Sequence, residues 1–247
     1  MFRTLQFRTK ALIISAVFLA PIALLAWDFL SASSASIAFS DKERLGVAYQ
    51  REAVPLVRLA QNYRLAALRS RADGGSTADV EAARKALDAQ MAKVEVVSKS
   101  LQADFGEAKA LAGVKTAAAA AANAGSGTLL QAHTAHVEAI IALISQVTDG
   151  SNLTLDPDLD TFFLMDGALG TMPTLIESAA QLRGSSSTEA AANGSVSGDM
   201  QRLITSSAVT TELFHTRLMG GLGKVFGVHP EYQAAFKVDD LQRQLQG

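Results

Sequence analysis

The stretch "SNLTLDPDLDTFFLMD", residues 151–166, decides how the middle of the chain folds. Its closely spaced acids fit three alternatives: a metal site, an acid/base pair or the start of a helix. Asp156, Asp158 and Asp160 match the first ligand positions of an EF-hand loop, but the glycine and the final glutamate of that loop are missing. A helix start fits better, with Asp156 as the N-cap and Pro157 as the first helical residue. Asp158 and Asp160 then oppose the positive end of the helix dipole. We therefore predict a helix cap at Asp156 and no metal site.

The composition of the 247 residues narrows the class of protein. The chain has no cysteine, which excludes disulfides, thiolate zinc sites and cysteine nucleophiles. Its net charge of −2 gives no reason to expect a nucleic-acid partner. No serine-nucleophile elbow, phosphate-binding loop or dinucleotide glycine pattern is present. We expect a protein that is not an enzyme and has no cofactor.

Apolar residues recur at helical spacing between stretches rich in Gly and Ser, and no strand-like alternation interrupts them. The pattern predicts an all-α fold, a bundle of long antiparallel helices. Two prolines, Pro55 and Pro173, should each kink or break their helix. The six predicted helices cover residues 40–72, 78–123, 128–148, 157–183, 198–222 and 230–247.

The N-terminus carries Arg3, Arg8 and Lys10 without an acid, and residues 11–27 follow without a charge. About 17–25 apolar residues can span a bilayer, and the basic flank is expected to stay in the cytoplasm. We predict a cytoplasmic segment at 1–10, a transmembrane anchor at 11–29 and a periplasmic region at 30–247. The alternative is a cleaved signal peptide, for which residues 31–36 offer small side chains.

Counting short turns suggests that the sixth helix heads back toward the bilayer. We therefore interpret the chain as the first part of a larger membrane protein, truncated before a second transmembrane span. The alternative is a complete protein with one anchor, because a helical bundle needs no second span.

Three arginines lie on or beside apolar stripes. Arg64 and Arg71 border the stripe of the first helix, and Arg183 lies in the middle of the fourth helix's stripe. Such arginines suit bidentate recognition of small oxyanions or carboxylates. The alternatives are an ion pair with a neighbouring helix, favoured for Arg71, and a frayed helix end for Arg183. We predict that Arg64 and Arg183 bind a small anionic ligand.

Two further sequence predictions concern geometry. The turn count makes the first and fourth helices antiparallel, which separates Arg64 from Arg183 unless Pro173 folds the fourth helix back or a dimer partner supplies one arginine. His133 and His136, three residues apart, could share a metal, but without other ligands nearby we expect them in the core or at an interface.

The segments "KERLGVAY" (42–49), "QNYRLAALRSRA" (61–72), "SNLTLDPDLDTFFLMD" and "MPTLIESAAQLRG" (172–184), behind an N-terminal anchor, form a recognisable set. The set resembles the N-terminal sensor region of bacterial methyl-accepting chemotaxis proteins, and similar regions occur in membrane histidine kinases. The resemblance implies a periplasmic helical bundle, attached to the bacterial inner membrane. It also implies a homodimer that passes ligand binding across the membrane to cytoplasmic signalling.

The pattern is also similar to the nitrate- and nitrite-sensing helical domain, in which arginines on long helices hold the anion. That resemblance places a Gln-x-x-Arg at Gln61 and Arg64, and a Leu-Arg-Gly at residues 182–184. The first hypothesis is therefore a chemoreceptor sensor region. The alternatives are the sensor region of a histidine kinase and a membrane-anchored adapter bundle without a ligand.

Overall fold

A computed structural model describes residues 6–72, 76–101, 104–155, 157–191 and 197–237. All regular structure in these ranges is helical, which confirms the all-α prediction. Short single-turn pieces lie between α4 and α6: a 3₁₀ turn at Leu153–Leu155 and a π turn at Asp166–Thr171. The α-helices are α1 Phe7–Ala72, α2 Thr77–Ser100, α3 Ala108–Ala122, α4 Leu129–Gly150, α5 Leu159–Met165, α6 Met172–Ala191, α7 Gly198–Val228 and α8 Glu231–Ala235.

The chain divides into two compact units, Met1–Arg44 and Leu45–Gly247. The first holds the apolar part of α1, whose side chains are largely exposed and whose best 18-residue window has a mean hydropathy of 2.2. Within the described ranges, α1 is the one helix long and apolar enough to cross a membrane. A signal sequence near an N-terminus satisfies the same criterion, so both interpretations of this segment stay open.

The second unit has its core where α1 and α4 meet. The predicted stripe of α1 is buried there, including Tyr49, Leu56 and Tyr63, while its arginines on the other side are exposed. Gln50 Nε2 donates to the carbonyl of Ile144 at 2.7 Å. Further along α1, Arg64 contacts Thr134 near the start of α4. The two helices are therefore antiparallel.

The predicted helix over residues 78–123 is wrong, because the structure divides it into α2 and α3. Phe105 is buried between them, and its carbonyl accepts a hydrogen bond from Gln146 Nε2 of α4 at 2.9 Å. Gly106 follows with a φ of 68°, a conformation that favours glycine. Lys115 of α3 pairs with Glu95 of α2 at 2.8 Å, so the chain reverses at this turn.

This additional reversal changes the direction of every later helix. Helix α6 is also antiparallel to α4, because Thr174 lies in the same groove as Ile141, whereas Arg183, later in α6, lines a cavity with Leu130, earlier in α4. Helix α6 is therefore parallel to α1. Helix α7 then returns antiparallel to α6, with Thr211 of α7 donating to Ser178 of α6 at 3.0 Å. The prediction that the first and fourth predicted helices are antiparallel is wrong for this reason.

The predicted bounds of the other helices agree with the structure to different degrees. Helix α4 agrees with its prediction to within two residues, while α7 continues six residues further, to Val228. The last described helix, α8, has only five residues, and positions 238–247 lie outside the described ranges. Helix α1 continues through Pro55 without a break, as buried side chains on both sides of the proline hold it.

A π turn at Asp166–Thr171 lies immediately before Pro173, and the helix continues through the proline as α6 without a break. Such a turn holds an extra residue compared with an α-helix, and it rotates the following side chains around the helix axis. In α6 the buried face consequently includes Glu177 and Ser178, whereas the apolar Met172 and Ile176 are exposed. The predicted apolar stripe therefore does not face the core in α6.

Candidate functional site

The Arg64 side chain lies in the interior, where α1 passes α4 and α6. It is 5% exposed, and its guanidinium binds the Glu177 carboxylate of α6 with both terminal nitrogens, at 2.6 and 3.1 Å. Its Nη1 also donates to Thr134 Oγ1 of α4 at 3.1 Å. A buried guanidinium requires an anionic partner, and here the chain itself supplies one.

The Glu177 carboxylate is as well satisfied as the guanidinium it faces. Besides Arg64, Gln61 donates to one of its oxygens at 2.9 Å and Gln181 to the other at 2.8 Å. Each oxygen thus accepts two hydrogen bonds, so the lone pairs of the carboxylate are all engaged. The group is rigidly held, because its partners come from two different helices.

A cavity of about 60 Å³ adjoins this pair. Since about 10–15 Å³ of such volume is enough to hold one water, the cavity has room for several waters or for a small oxyanion. Its wall combines polar and apolar side chains of α1, α4 and α6 with Leu203 of α7. The lining residues include Gln61, Arg64, Leu68, Thr134, Gln181 and Arg183.

The structure brings the two predicted ligand-binding arginines, Arg64 and Arg183, to the same cavity. They meet because α6 is parallel to α1, so neither a folded-back helix nor a dimer partner is needed. Arg183 is not at a frayed end, since α6 continues to Ala191. Its side chain is exposed on the outer side and has no acidic partner among the described residues.

The third arginine of interest, Arg71, is exposed near the end of α1. It donates to Ser126 Oγ at 2.8 Å. Among the described residues no acid pairs with Arg71, whereas Arg64 forms an ion pair with Glu177 of a neighbouring helix.

His133 and His136 of α4 are both buried, which confirms the prediction of core histidines. His133 packs edge-on against Tyr63, with the ring centroids 4.6 Å apart. Burial, aided by His136 and by the charge of Arg64, lowers the pKa of His133 to about 4. Burial also lowers the pKa of His136. Both rings are therefore neutral at pH 7, and Arg64 keeps Glu177 as its charged partner.

The acids of residues 151–166 start a helix, but two residues later than predicted. Helix α5 begins at Leu159 with Asp158 in the N-cap position, so Pro157 is not its first residue; Asp156 lies outside the described residues. The Asp160 carboxylate binds His229 Nε2 at 2.8 Å, while Nδ1 of the same ring meets Glu231 at 3.0 Å. These two carboxylates, Glu231 first, raise the pKa of His229. In the described ranges no three His, Asp or Glu side chains are placed to hold a metal.

Sequence reasoning missed Glu177, Gln181 and Thr134, which complete the polar cluster around Arg64. A single acid, Glu177, stands between apolar residues in "TLIESAA", and this isolation is the one signal that could have indicated burial. The helical wheel placed it outside, because the π turn that rotates α6 cannot be read from residue spacing.

No family model, curated protein or solved structure matches the chain. The geometry of the site therefore carries the functional argument.

Proposed function

We propose that the chain is the sensor region of a bacterial transmembrane chemoreceptor, which binds a small anion and passes the event to cytoplasmic signalling. In this proposal the N-terminal part of α1 is an inner-membrane anchor, and residues 30–247 form a periplasmic bundle of long antiparallel helices. The protein acts as a homodimer without enzymatic activity. The observation that carries the proposal is the cavity at which Arg64 and Arg183 meet.

The chemistry of the cavity supports an anion as its ligand. Arg183 reaches the cavity without an acidic partner among the described residues, and it is exposed enough to admit a ligand from solvent. Arg64 supplies further N–H groups on the inner side, because Glu177 and Thr134 use only part of its five donors. Hydrogen bonds to charged groups are the stronger ones, so a nitrate-sized or formate-sized anion between the two arginines is well recognised.

Two other functions stay in consideration. A histidine kinase would use the same sensor region with a different cytoplasmic output. A membrane-anchored adapter without a ligand is favoured by one observation, the complete neutralisation of Arg64 by Glu177. In that case the pair would only hold α1 and α6 together.

Anion binding separates a sensor from an adapter. Isothermal calorimetry of the full chain in detergent should detect saturable binding of nitrate or formate, and Arg183→Ala should weaken it at least tenfold, about 1.4 kcal/mol. The control is Arg202→Ala, because Arg202 lies on α7, is exposed and pairs with Asp199 of its own helix. Absence of binding to the unmodified chain at millimolar anion would favour the adapter. Equal loss in both arginine variants would show that the effect is one of general charge.

The membrane orientation has its own test. A reporter enzyme that is active only in the periplasm should be active when fused after Gly247 and inactive when fused after Lys10, since the basic N-terminus stays in the cytoplasm. Normal expression of an inactive fusion after Gly247 would contradict a periplasmic location.

A further inference from the structure

We propose that Glu177 determines the charge of the ligand, restricting the site to small monovalent anions. This inference rests on the proposed function, and it adds the ligand class and the residue that selects it. The contact that carries it is the bidentate pair between Arg64 and Glu177, whose side chains are each 6% exposed.

The pair fixes the net charge beside the cavity. Glu177 cancels the charge of Arg64, so Arg183 leaves the site with a single positive charge. His133, the titratable group that faces Tyr63 next to Arg64, is neutral at pH 7 because burial lowers its pKa to about 4. One anionic charge is therefore balanced in this site, and a second would face the Glu177 carboxylate without compensation.

Burial makes this repulsion effective. Charges that are held away from water interact more strongly than charges on the surface, where solvent and salt screen them. The Glu177 carboxylate cannot turn away at low cost, because Gln61, Arg64 and Gln181 hold both of its oxygens.

Sulfate and perchlorate provide a matched pair of probes, because both are tetrahedral oxyanions and they differ in charge. Their binding to the full chain in detergent should be measured by thermal shift and calorimetry at constant ionic strength. The unmodified chain should prefer perchlorate to sulfate. Glu177→Gln keeps the size of the side chain and removes its charge, so the ratio of sulfate to perchlorate affinity should rise at least tenfold.

The control variant is Glu138→Gln. Glu138 is exposed on α4 and lines a groove next to Glu177, outside the cavity, so its removal changes the net charge without changing the site. Its sulfate-to-perchlorate ratio should equal that of the unmodified chain. This control also accounts for the general stabilisation of proteins by sulfate.

The outcomes separate the inference from the proposed function. If Glu177→Gln does not raise the ratio of sulfate to perchlorate affinity, the inference is overturned. This holds even when nitrate binds the unmodified chain and its binding requires Arg183. A gain for sulfate in Glu177→Gln supports the inference when the unmodified chain binds perchlorate in preference to sulfate. An unmodified chain that binds no anion overturns both the inference and the sensor function. If Glu177→Gln does not fold alone, sulfate should restore its helical circular dichroism at a lower concentration than it restores that of Phe105→Ala, which lacks a buried ring and keeps Glu177. Recovery of both variants at the same sulfate concentration, or of neither, overturns the inference.

Discussion

Replacing Glu177 by alanine should destabilise the protein by about 3–5 kcal/mol, because it leaves the buried guanidinium of Arg64 without a counter-charge. Gln61 and Gln181 lose their acceptor in the same substitution. For a protein of this length the loss corresponds to a fall of about 6–20 °C in Tm, at about 2–4 °C per kcal/mol. Far-ultraviolet circular dichroism of the full chain in detergent measures it.

The matched control is Glu95→Ala, which removes the acid of the surface pair with Lys115. Exposed ion pairs contribute little to stability, so this variant should keep the Tm of the unmodified chain. If the two alanine variants have the same Tm, the pair of Arg64 and Glu177 does not stabilise the fold.

A double variant tests the physical reason for the loss. Arg64→Met with Glu177→Leu removes both charges and retains apolar volume, so it should recover most of the stability that Glu177→Ala loses. It should also abolish anion binding, since Arg64 is one of the two arginines at the cavity. Stability and binding can thus be separated at one site.

The helical nature of the chain and the burial of the α1 stripe follow from residue spacing, because both depend on local periodicity. The sequence also identifies Arg64 and Arg183 as the arginines of interest, since each lies on or beside an apolar stripe. The relative position of the two arginines could not be predicted, as it depends on the number of chain reversals between them. When the turn between α2 and α3 is missed, the predicted direction of α6 is reversed. Arg183 is then predicted at the opposite end of the bundle from Arg64.

The π turn at Asp166–Thr171 explains why the burial of Glu177 was not predicted. Helical wheels assume a constant angle per residue, and an inserted residue rotates all side chains that follow. Here a tertiary contact holds the turn, because Arg217 of α7 binds Asp166 at 2.7 Å. Within the turn, Thr171 donates to the same carboxylate. Since α7 follows more than thirty residues later, the spacing of the apolar residues could not indicate that Glu177 would face inward.

Phe105 lies in the turn that sequence reasoning missed, and replacing it by alanine should cost about 3–5 kcal/mol. Its ring is 2% exposed and packs edge-on against Tyr49, with centroids 6.2 Å apart. Its carbonyl accepts a hydrogen bond from Gln146 and lies against Gly150, where a Cβ would come within 2.1 Å of the oxygen. The turn is therefore held between α1 and α4 by one aromatic side chain and one close backbone approach.

The control for Phe105→Ala is Phe236→Ala, because Phe236 follows α8 and is 47% exposed. Thermal unfolding should show a large fall in Tm for Phe105→Ala and little change for Phe236→Ala. Nitrate affinity below the Tm should be the same in both, since the cavity is lined by other parts of α1, α4 and α6. A Phe105→Ala variant as stable as Phe236→Ala would show that the reversal between α2 and α3 does not depend on this ring. The reversal would then have to come from Gly106 and the hydrogen bonds of Glu107 with Ser98 and the Phe105 backbone.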